Sequence, residues 1–121
     1  MARILIAEDE ERLAALLVRG LKRDGHETEV TASGDITLQL LLDDSFDLCL
    51  LDLMLPEIDG QTVLARARAS GLVLPIVILS ALADRDTQES CLSLGATDFI
   101  AKPFSLSGLR DRIRALLAPN D

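Results

Sequence analysis

The fold is decided by the stretch Asp47-Leu48-Cys49-Leu50-Leu51-Asp52-Leu53-Met54-Leu55-Pro56. An apolar run this short, interrupted by one carboxylate and ended by a proline, predicts a strand that is buried on both faces. Such strands are typical of parallel sheets that carry helices on each side. In open sheets of this kind, ligands bind beyond the carboxyl ends of the strands, which is where Asp52 stands. Taken alone, Asp52 is more simply explained as a polar residue that ends a strand and begins a turn.

The rest of the chain alternates between short apolar runs and helical patterns. Four further strands are predicted at 4–7, 27–31, 76–79 and 99–101, and five helices at 10–23, 33–44, 59–70, 85–94 and 106–117. This alternation predicts a doubly wound α/β fold with a five-stranded parallel sheet. The polar strand 27–31 favours an edge position and the flavodoxin-like strand order 2-1-3-4-5. In the second helix, Ile36, Leu40 and Leu41 are predicted to face the core.

Length and composition fit one domain over residues 1–121, with 49% hydrophobic and 26% charged residues. A net charge of −8 argues against direct binding of nucleic acid or of an anionic membrane by this domain. Cys49 and Cys91 lie in apolar patterns and are predicted to be buried thiols. No apolar run is long enough for a membrane span or a signal peptide, so we expect a cytoplasmic protein.

Polar side chains follow four of the predicted strands, all of them expected to be buried. They are Glu8, Asp9, Asp52, Ser80 and Lys102. Because parallel strands end at one rim of the sheet, these groups should converge. Two carboxylates about 4 Å apart repel each other by roughly 4 kcal/mol at an effective dielectric near 20, so the cluster needs a cation. Carboxylates, waters and phosphate oxygens are the ligands that Mg²⁺ prefers.

The same groups supply what phosphoryl transfer requires. A metal ion and Lys102 can neutralise phosphoryl oxygens, Ser80 can donate a hydrogen bond to one of them, and a carboxylate can act as the nucleophile. Each residue alone has an ordinary explanation, as a solvated loop acid, a capping serine or a surface lysine. Their joint placement at strand ends favours a phosphoryl-transfer site.

The whole chain closely resembles the receiver domain of bacterial response regulators. The residues that match its motifs are Glu8-Asp9, Asp52-Leu53-Met54-Leu55-Pro56, Asp59-Gly60, Ser80-Ala81 and Lys102-Pro103-Phe104. Each motif alone is weak, but the full set in this order and at this spacing is very specific to the family.

The resemblance implies a signalling switch of a two-component system. Asp52 would accept a phosphoryl group from a sensor histidine kinase or a small phosphodonor. Asp9, Asp52 and the carbonyl of Met54 would bind Mg²⁺, with Glu8 acting through water. The protein would take part in its own phosphotransfer and slow dephosphorylation, and would not be an enzyme acting on separate substrates.

The resemblance also implies how the switch would act. Ser80 and Lys102 would hold the phosphoryl oxygens, with Lys102 preceding a cis proline. Phosphorylation would pull Ser80 inward, and Phe99 would follow. The family often has tyrosine at the position of Phe99, so the hydrogen bond of a tyrosine hydroxyl is missing here.

The last two helices and the strand between them resemble those of response regulators with winged-helix DNA-binding domains. Such receivers dimerise through this face when phosphorylated, and Asp98 and Arg112 match one of their ion pairs between subunits. Two other pairs of such receivers are lost, because Gln88 and Gly108 stand where the family has opposite charges, and Thr97 stands where an acid would meet Arg114. A homodimer that depends on phosphorylation is therefore expected. Any contact with DNA would be made by an effector domain outside these residues.

Three alternatives compete with this interpretation. A haloacid-dehalogenase-like phosphatase needs a second aspartate two positions after its nucleophile, where this chain has Met54. A flavodoxin-like FMN binder needs a first loop that accepts phosphate, whereas Glu8-Asp9-Glu10-Glu11 would repel it. A phosphorylation-incompetent interaction module usually lacks an acidic residue or the lysine, and all are present here. Retention of phosphate on Asp52 separates these classes.

Overall fold

The computed structural model describes residues 1–118, so the last three residues of the predicted domain, 119–121, lie outside the described residues. Five strands and five helices alternate along this part of the chain. The strands are Arg3–Ala7 (β1), Glu27–Thr31 (β2), Leu48–Asp52 (β3), Ile76–Ser80 (β4) and Asp98–Ala101 (β5). The helices are Glu11–Arg23 (α1), Gly34–Asp43 (α2), Gly60–Ala69 (α3), Arg85–Ser93 (α4) and Leu106–Leu117 (α5).

The strands form one parallel sheet in the order β2-β1-β3-β4-β5. The predicted doubly wound, flavodoxin-like fold and its strand order are confirmed. All five residues of β3 and of β4 are buried, as expected for strands covered on both faces. The polar strand β2 lies at one edge, as its composition predicts.

Alternate residues of the strands contribute to two separate cores. On one face, Leu5 and Leu51 pack with residues of α2, α3 and α4. On the other face, Ile6 and Leu50 pack with residues of α1 and α5. Because each face of the sheet is covered, a ligand can approach the sheet only at its ends, and in folds of this kind it binds at the carboxyl ends of the strands.

Two predictions of burial are wrong. Strand β5 was expected to be buried, but it is half-buried because it forms the second edge of the sheet. In α2, Ile36 is 51% exposed, while Leu41 is buried and Leu40 is half-buried. The buried side of the helix instead includes Thr37. Its hydroxyl donates to the Ser33 carbonyl at 2.7 Å, so it keeps a hydrogen bond when it is buried away from water.

Helix starts and other local features follow the chemistry of the sequence. The Asp59 carboxylate caps α3 by accepting a hydrogen bond from the Thr62 amide at 2.8 Å. Cys49 and Cys91 are both buried free thiols. None of the helices within residues 1–118 has the length and apolar character that crossing a membrane requires.

Candidate functional site

The predicted site residues gather at the carboxyl edge of the sheet. Glu8 and Asp9 follow β1, Asp52 ends β3, Ser80 ends β4, and Lys102 follows β5. These four strands are neighbours in the sheet, so their ends lie side by side. The sheet register pairs Asp52 with the residue just before Ser80, which sets Ser80 one step further along its strand.

Three carboxylates form the centre of the site. Glu8, Asp9 and Asp52 each offer an oxygen atom, and these atoms all lie within 4.8 Å of one another. Glu8 and Asp52 are only 3% and 5% exposed, whereas Asp9 is exposed. Three negative charges this close are unstable unless a cation or a proton compensates them.

Lys102 supplies part of that compensation. Its Nζ atom donates to Glu8 Oε1 at 2.7 Å and to Asp52 Oδ2 at 3.0 Å. Burial alone would lower the pKa of Lys102, but its hydrogen bonds to the two carboxylates outweigh burial and raise it. Burial also raises the pKa of Glu8, and the hydrogen bond from Lys102 offsets this only in part. The site therefore holds a protonated lysine and an excess of acidic groups.

Local backbone structure aims these side chains. Lys102 is followed by a cis peptide bond to Pro103, and its amide donates to the Ser80 carbonyl at 2.9 Å. The second oxygen of Asp52, Oδ1, accepts a hydrogen bond from the Met54 amide at 3.1 Å. The peptide group at the start of the β3–α3 loop is thereby held against the carboxylate.

Ser80 ends the strand beside β3, one residue beyond the register partner of Asp52. Ser80 is fully buried, and its Oγ atom accepts a hydrogen bond from the Leu82 amide at 3.0 Å. The hydroxyl proton can therefore be donated to a ligand oxygen. Phe99, the residue predicted to follow Ser80, is half-buried and packs against the core formed with α2, α3 and α4.

An open cavity of about 490 Å³ adjoins the acidic cluster. Its lining includes Asp9, Met54, Gln61 and Leu82. Met54 and Leu82 are 63% and 51% exposed, so large apolar side chains line this cavity beside Asp9. A larger cavity of about 670 Å³ lies at the opposite, amino edge of the sheet and contains none of the site residues.

The residues predicted at a dimer face make contacts within the chain. Arg112 Nε donates to Asp98 Oδ2 at 2.6 Å, in a pair that is partly exposed. Arg114 pairs with Asp111 and with Asp24. Thr97, where the family pattern has an acid, accepts a hydrogen bond from the Ile76 amide at 3.0 Å.

Two close backbone approaches were not identified from the sequence. A Cβ atom at Gly60 would lie 2.3 Å from the Asp52 carbonyl oxygen, so helix α3 can begin against β3 only with glycine at this position. A Cβ atom at Gly34 would lie 1.6 Å from the Ile58 carbonyl oxygen. The Asp-Gly motif was a signal for Gly60, but no local pattern marks Gly34 as a contact of the β3–α3 loop.

Comparisons with known proteins agree with this geometry. The family model for the response regulator receiver domain matches residues 4–114. The chain is 39% identical over 117 residues to the response regulator ArlR of Staphylococcus haemolyticus, covering 97% of this chain and 53% of that protein. It is 36% identical over 115 residues to the transcriptional regulatory protein RprY of Bacteroides fragilis, covering 95% of this chain and 49% of that protein.

The chain thus spans about half the length of the curated relatives that it matches. Among solved structures, the receiver domain of the Francisella response regulator 1452 is similar, with a TM-score of 0.92, 29% identity and 97% coverage of both chains. Motif, fold and whole-chain similarity agree. The chain therefore belongs to the family of response regulator receiver domains, the phosphorylation-activated switches of two-component signalling.

Proposed function

We propose that Asp52 is the phosphoacceptor of this receiver and that Mg²⁺ binds beside it. The observation that carries the proposal is the buried Asp52 carboxylate, set within 4.8 Å of Glu8 and Asp9 and hydrogen-bonded to Lys102 at 3.0 Å. The Asp52 carboxylate accepts hydrogen bonds from the Lys102 ammonium and the Met54 amide, which fix the position of its oxygen atoms. It can therefore act as a nucleophile.

The donor set fits a magnesium ion. Its members are hard oxygen ligands, and the net charge of three carboxylates and one lysine favours a divalent cation. Asp9 and Asp52 would bind directly, together with the Met54 carbonyl, and Glu8 would act through water. When bound, Mg²⁺ would neutralise phosphoryl oxygens and align the phosphodonor with the attacking carboxylate.

The transfer step uses groups that the chain already brings together. An oxygen of Asp52 attacks phosphorus, and the bond from phosphorus to the donor breaks, with its electron pair leaving on the donor. The donor is the phosphohistidine of a sensor histidine kinase or a small acyl phosphate. Lys102 then donates a hydrogen bond to a phosphoryl oxygen in place of one of its carboxylate partners. Ser80 donates a hydrogen bond from its hydroxyl to a second phosphoryl oxygen, and both bonds stabilise the acyl phosphate.

Slow loss of the phosphoryl group completes the cycle. Water must reach phosphorus along the cavity bordered by Met54 and Leu82, and neither side chain can orient it. The protein thus takes part in its own phosphorylation and dephosphorylation, and it does not turn over separate substrates. A haloacid-dehalogenase-like phosphatase is disfavoured because position 54 offers only an amide to Asp52 and no carboxylate.

The output of the switch is assigned to the face formed by α4, β5 and α5. Inward movement of Ser80 would draw Phe99 further into the core and so change the neighbouring surface. Two copies would then associate through this face, and Asp98 and Arg112 would exchange their internal pair for one between subunits. Because exposed ion pairs contribute only about 0–1 kcal/mol, this exchange costs little, and the dimer would be weak.

Any contact with DNA would be made by an effector domain outside residues 1–121. The names of the relatives RprY and ArlR, one a transcriptional regulatory protein and the other a response regulator, support a role in transcription. The net charge of −8 disfavours direct DNA binding by the receiver itself.

Fluoroberyllate, which mimics an aspartyl phosphate, tests the assignment without catalysis. In amide NMR spectra, its addition with Mg²⁺ should shift the signals of Ser80, Phe99 and Lys102, and Asp52→Asn should abolish the shifts. Equal shifts in the variant would refute Asp52 as the acceptor. Turnover of a phosphate ester by the wild-type protein would favour the phosphatase alternative.

A further inference from the structure

The β3–α3 loop is held between two helices. The Pro56 carbonyl accepts hydrogen bonds from the Gly34 amide at 3.0 Å and from the Ile58 amide at 2.9 Å. At the other end of the loop, the Gly60 amide donates to the Leu53 carbonyl at 2.9 Å. The loop that begins beside Asp52 is therefore fixed by the first residue of α2 as well as by α3.

The contact with α2 leaves no room for a side chain. A Cβ atom at Gly34 would lie 1.6 Å from the Ile58 carbonyl oxygen and 2.6 Å from its carbonyl carbon, whereas real Cβ contacts are longer than 3.0 Å. Both obstructing atoms belong to the backbone, so no rotamer change can relieve the overlap. Helix α2 and the loop would have to separate by about 1.4 Å.

Two further features show that this junction is built around the loop. Ser33, the N-cap residue of α2, makes no capping hydrogen bond, and its buried Oγ atom has no partner among the described residues. At the same helix terminus, the Gly34 amide donates its hydrogen bond to the loop. Within the loop, Glu57 has a φ of 71°, which is a left-handed conformation that non-glycine residues seldom adopt. Such a conformation persists only where the surrounding contacts hold it, which agrees with a loop fixed from both sides.

We propose that Gly34 is a positioning residue for the metal site. It allows α2 to hold the β3–α3 loop at the place where Met54 lies against Asp52. This inference rests on the proposed function, since it assigns the Met54 carbonyl to Mg²⁺. Gly34 touches no metal ligand itself and acts only through the loop backbone.

Calorimetric titration of the whole chain with Mg²⁺ tests the proposal. Gly34→Ala should weaken Mg²⁺ binding about 10- to 100-fold, the range seen when groups that orient metal ligands are removed. Gly108→Ala is the matched control. It makes the same change in the first turn of α5, where the nearest atom to the new Cβ would be at 3.5 Å. Its Mg²⁺ affinity should stay within about twofold of the wild type.

The outcomes separate this inference from the proposed function. If the wild-type protein binds no Mg²⁺, the proposed function fails. If the wild type and Gly34→Ala bind Mg²⁺ equally, the proposed function stands and the role of Gly34 is refuted. An equal loss of affinity in Gly108→Ala would also refute it, because the effect would then not arise from the loop contact.

A measurement on the wild type covers the case in which Gly34→Ala does not fold. Mg²⁺ should slow hydrogen exchange of the Gly34 amide, because a bound ion fixes the loop that carries its acceptor, the Pro56 carbonyl. The Gly71 amide donates to Arg68 at the far end of α3 and serves as the reference. Unchanged exchange at Gly34 on Mg²⁺ binding, or equal slowing at Gly71, would overturn the proposal.

Discussion

Replacing Asp9 by alanine should stabilise the metal-free protein. The Asp9 carboxylate lies within 4.8 Å of those of Glu8 and Asp52, and Lys102 forms ion pairs with those two acids. Within residues 1–118, no cation forms an ion pair with Asp9. It therefore faces two negative charges and one positive charge, which leaves one negative charge uncompensated.

The size of the effect follows from this distance. Two unit negative charges 4.8 Å apart repel each other by about 3.5 kcal/mol at an effective dielectric near 20 and by about 0.9 kcal/mol in bulk water. Because Asp9 is exposed to water, the smaller of these two repulsion energies applies. We expect Asp9→Ala to raise the free energy of unfolding by about 1 kcal/mol without Mg²⁺, or the melting temperature by roughly 4 °C.

Urea unfolding at low ionic strength, with and without Mg²⁺, measures the stability of the metal-free protein and the stabilisation that Mg²⁺ adds. Mg²⁺ should stabilise the wild type but not Asp9→Ala, because the variant lacks a metal ligand. Glu10→Ala is the control, since it removes the neighbouring exposed acid and keeps the Glu10 amide that donates to Glu8. The control should change stability by less than about 0.5 kcal/mol and retain the effect of Mg²⁺. Equal stabilisation of the wild type and Asp9→Ala by Mg²⁺ would refute the reasoning.

Three further predictions concern the lifetime, the dimer and the acid sensitivity of the protein. Leu82→Asn should shorten the lifetime of the phosphorylated state, measured as loss of radiolabelled phosphate, by orienting water; an unchanged or longer lifetime would contradict the steric account. Sedimentation should show a monomer alone and a weak, salt-sensitive dimer with fluoroberyllate, and Arg112→Glu should prevent that dimer without blocking phosphorylation. A dimer indifferent to the mimic and to Arg112 would place the interface elsewhere. Hydrogen bonds from Arg110 hold the pKa of Asp24 below its ordinary value, so their stabilisation exists at neutral pH and is lost as pH falls through that lowered pKa. Urea unfolding of Asp24→Asn should therefore show a deficit at pH 7 that vanishes in acid, and a deficit independent of pH would count against this ion pair.

The strand ends could be predicted because each is marked by a sharp change in the sequence. The buried strand β3 stops at Asp52, and β4 stops at Ser80, with no ambiguity about where polarity begins. The direct contact of Lys102 with both Glu8 and Asp52 could not be predicted in the same way. It depends on sheet register and on the backbone at Pro103, which are set by the whole fold.

Contacts between distant segments account for the rest of what was missed. Helical periodicity alone placed Ile36 inward, but the packing of α2 on the sheet buries Thr37 instead, since its hydroxyl finds a backbone acceptor. The pair of Asp98 with Arg112 within one chain was not predicted, and it forms because β5 and α5 bring the two side chains together. Their pair between subunits of a phosphorylated dimer stays a prediction. Gly34 shows no signal at all until the β3–α3 loop is seen against it.

The most direct test of the account is the intact mass of the protein after incubation with acetyl phosphate. With Mg²⁺, we expect the mass of one added phosphoryl group, removed by mild base as an acyl phosphate is, and no addition in Asp52→Asn or in the presence of EDTA. Phosphate added to Asp52→Asn, or a base-stable phosphate on Ser80, would contradict the assignment of Asp52 as the magnesium-dependent acceptor.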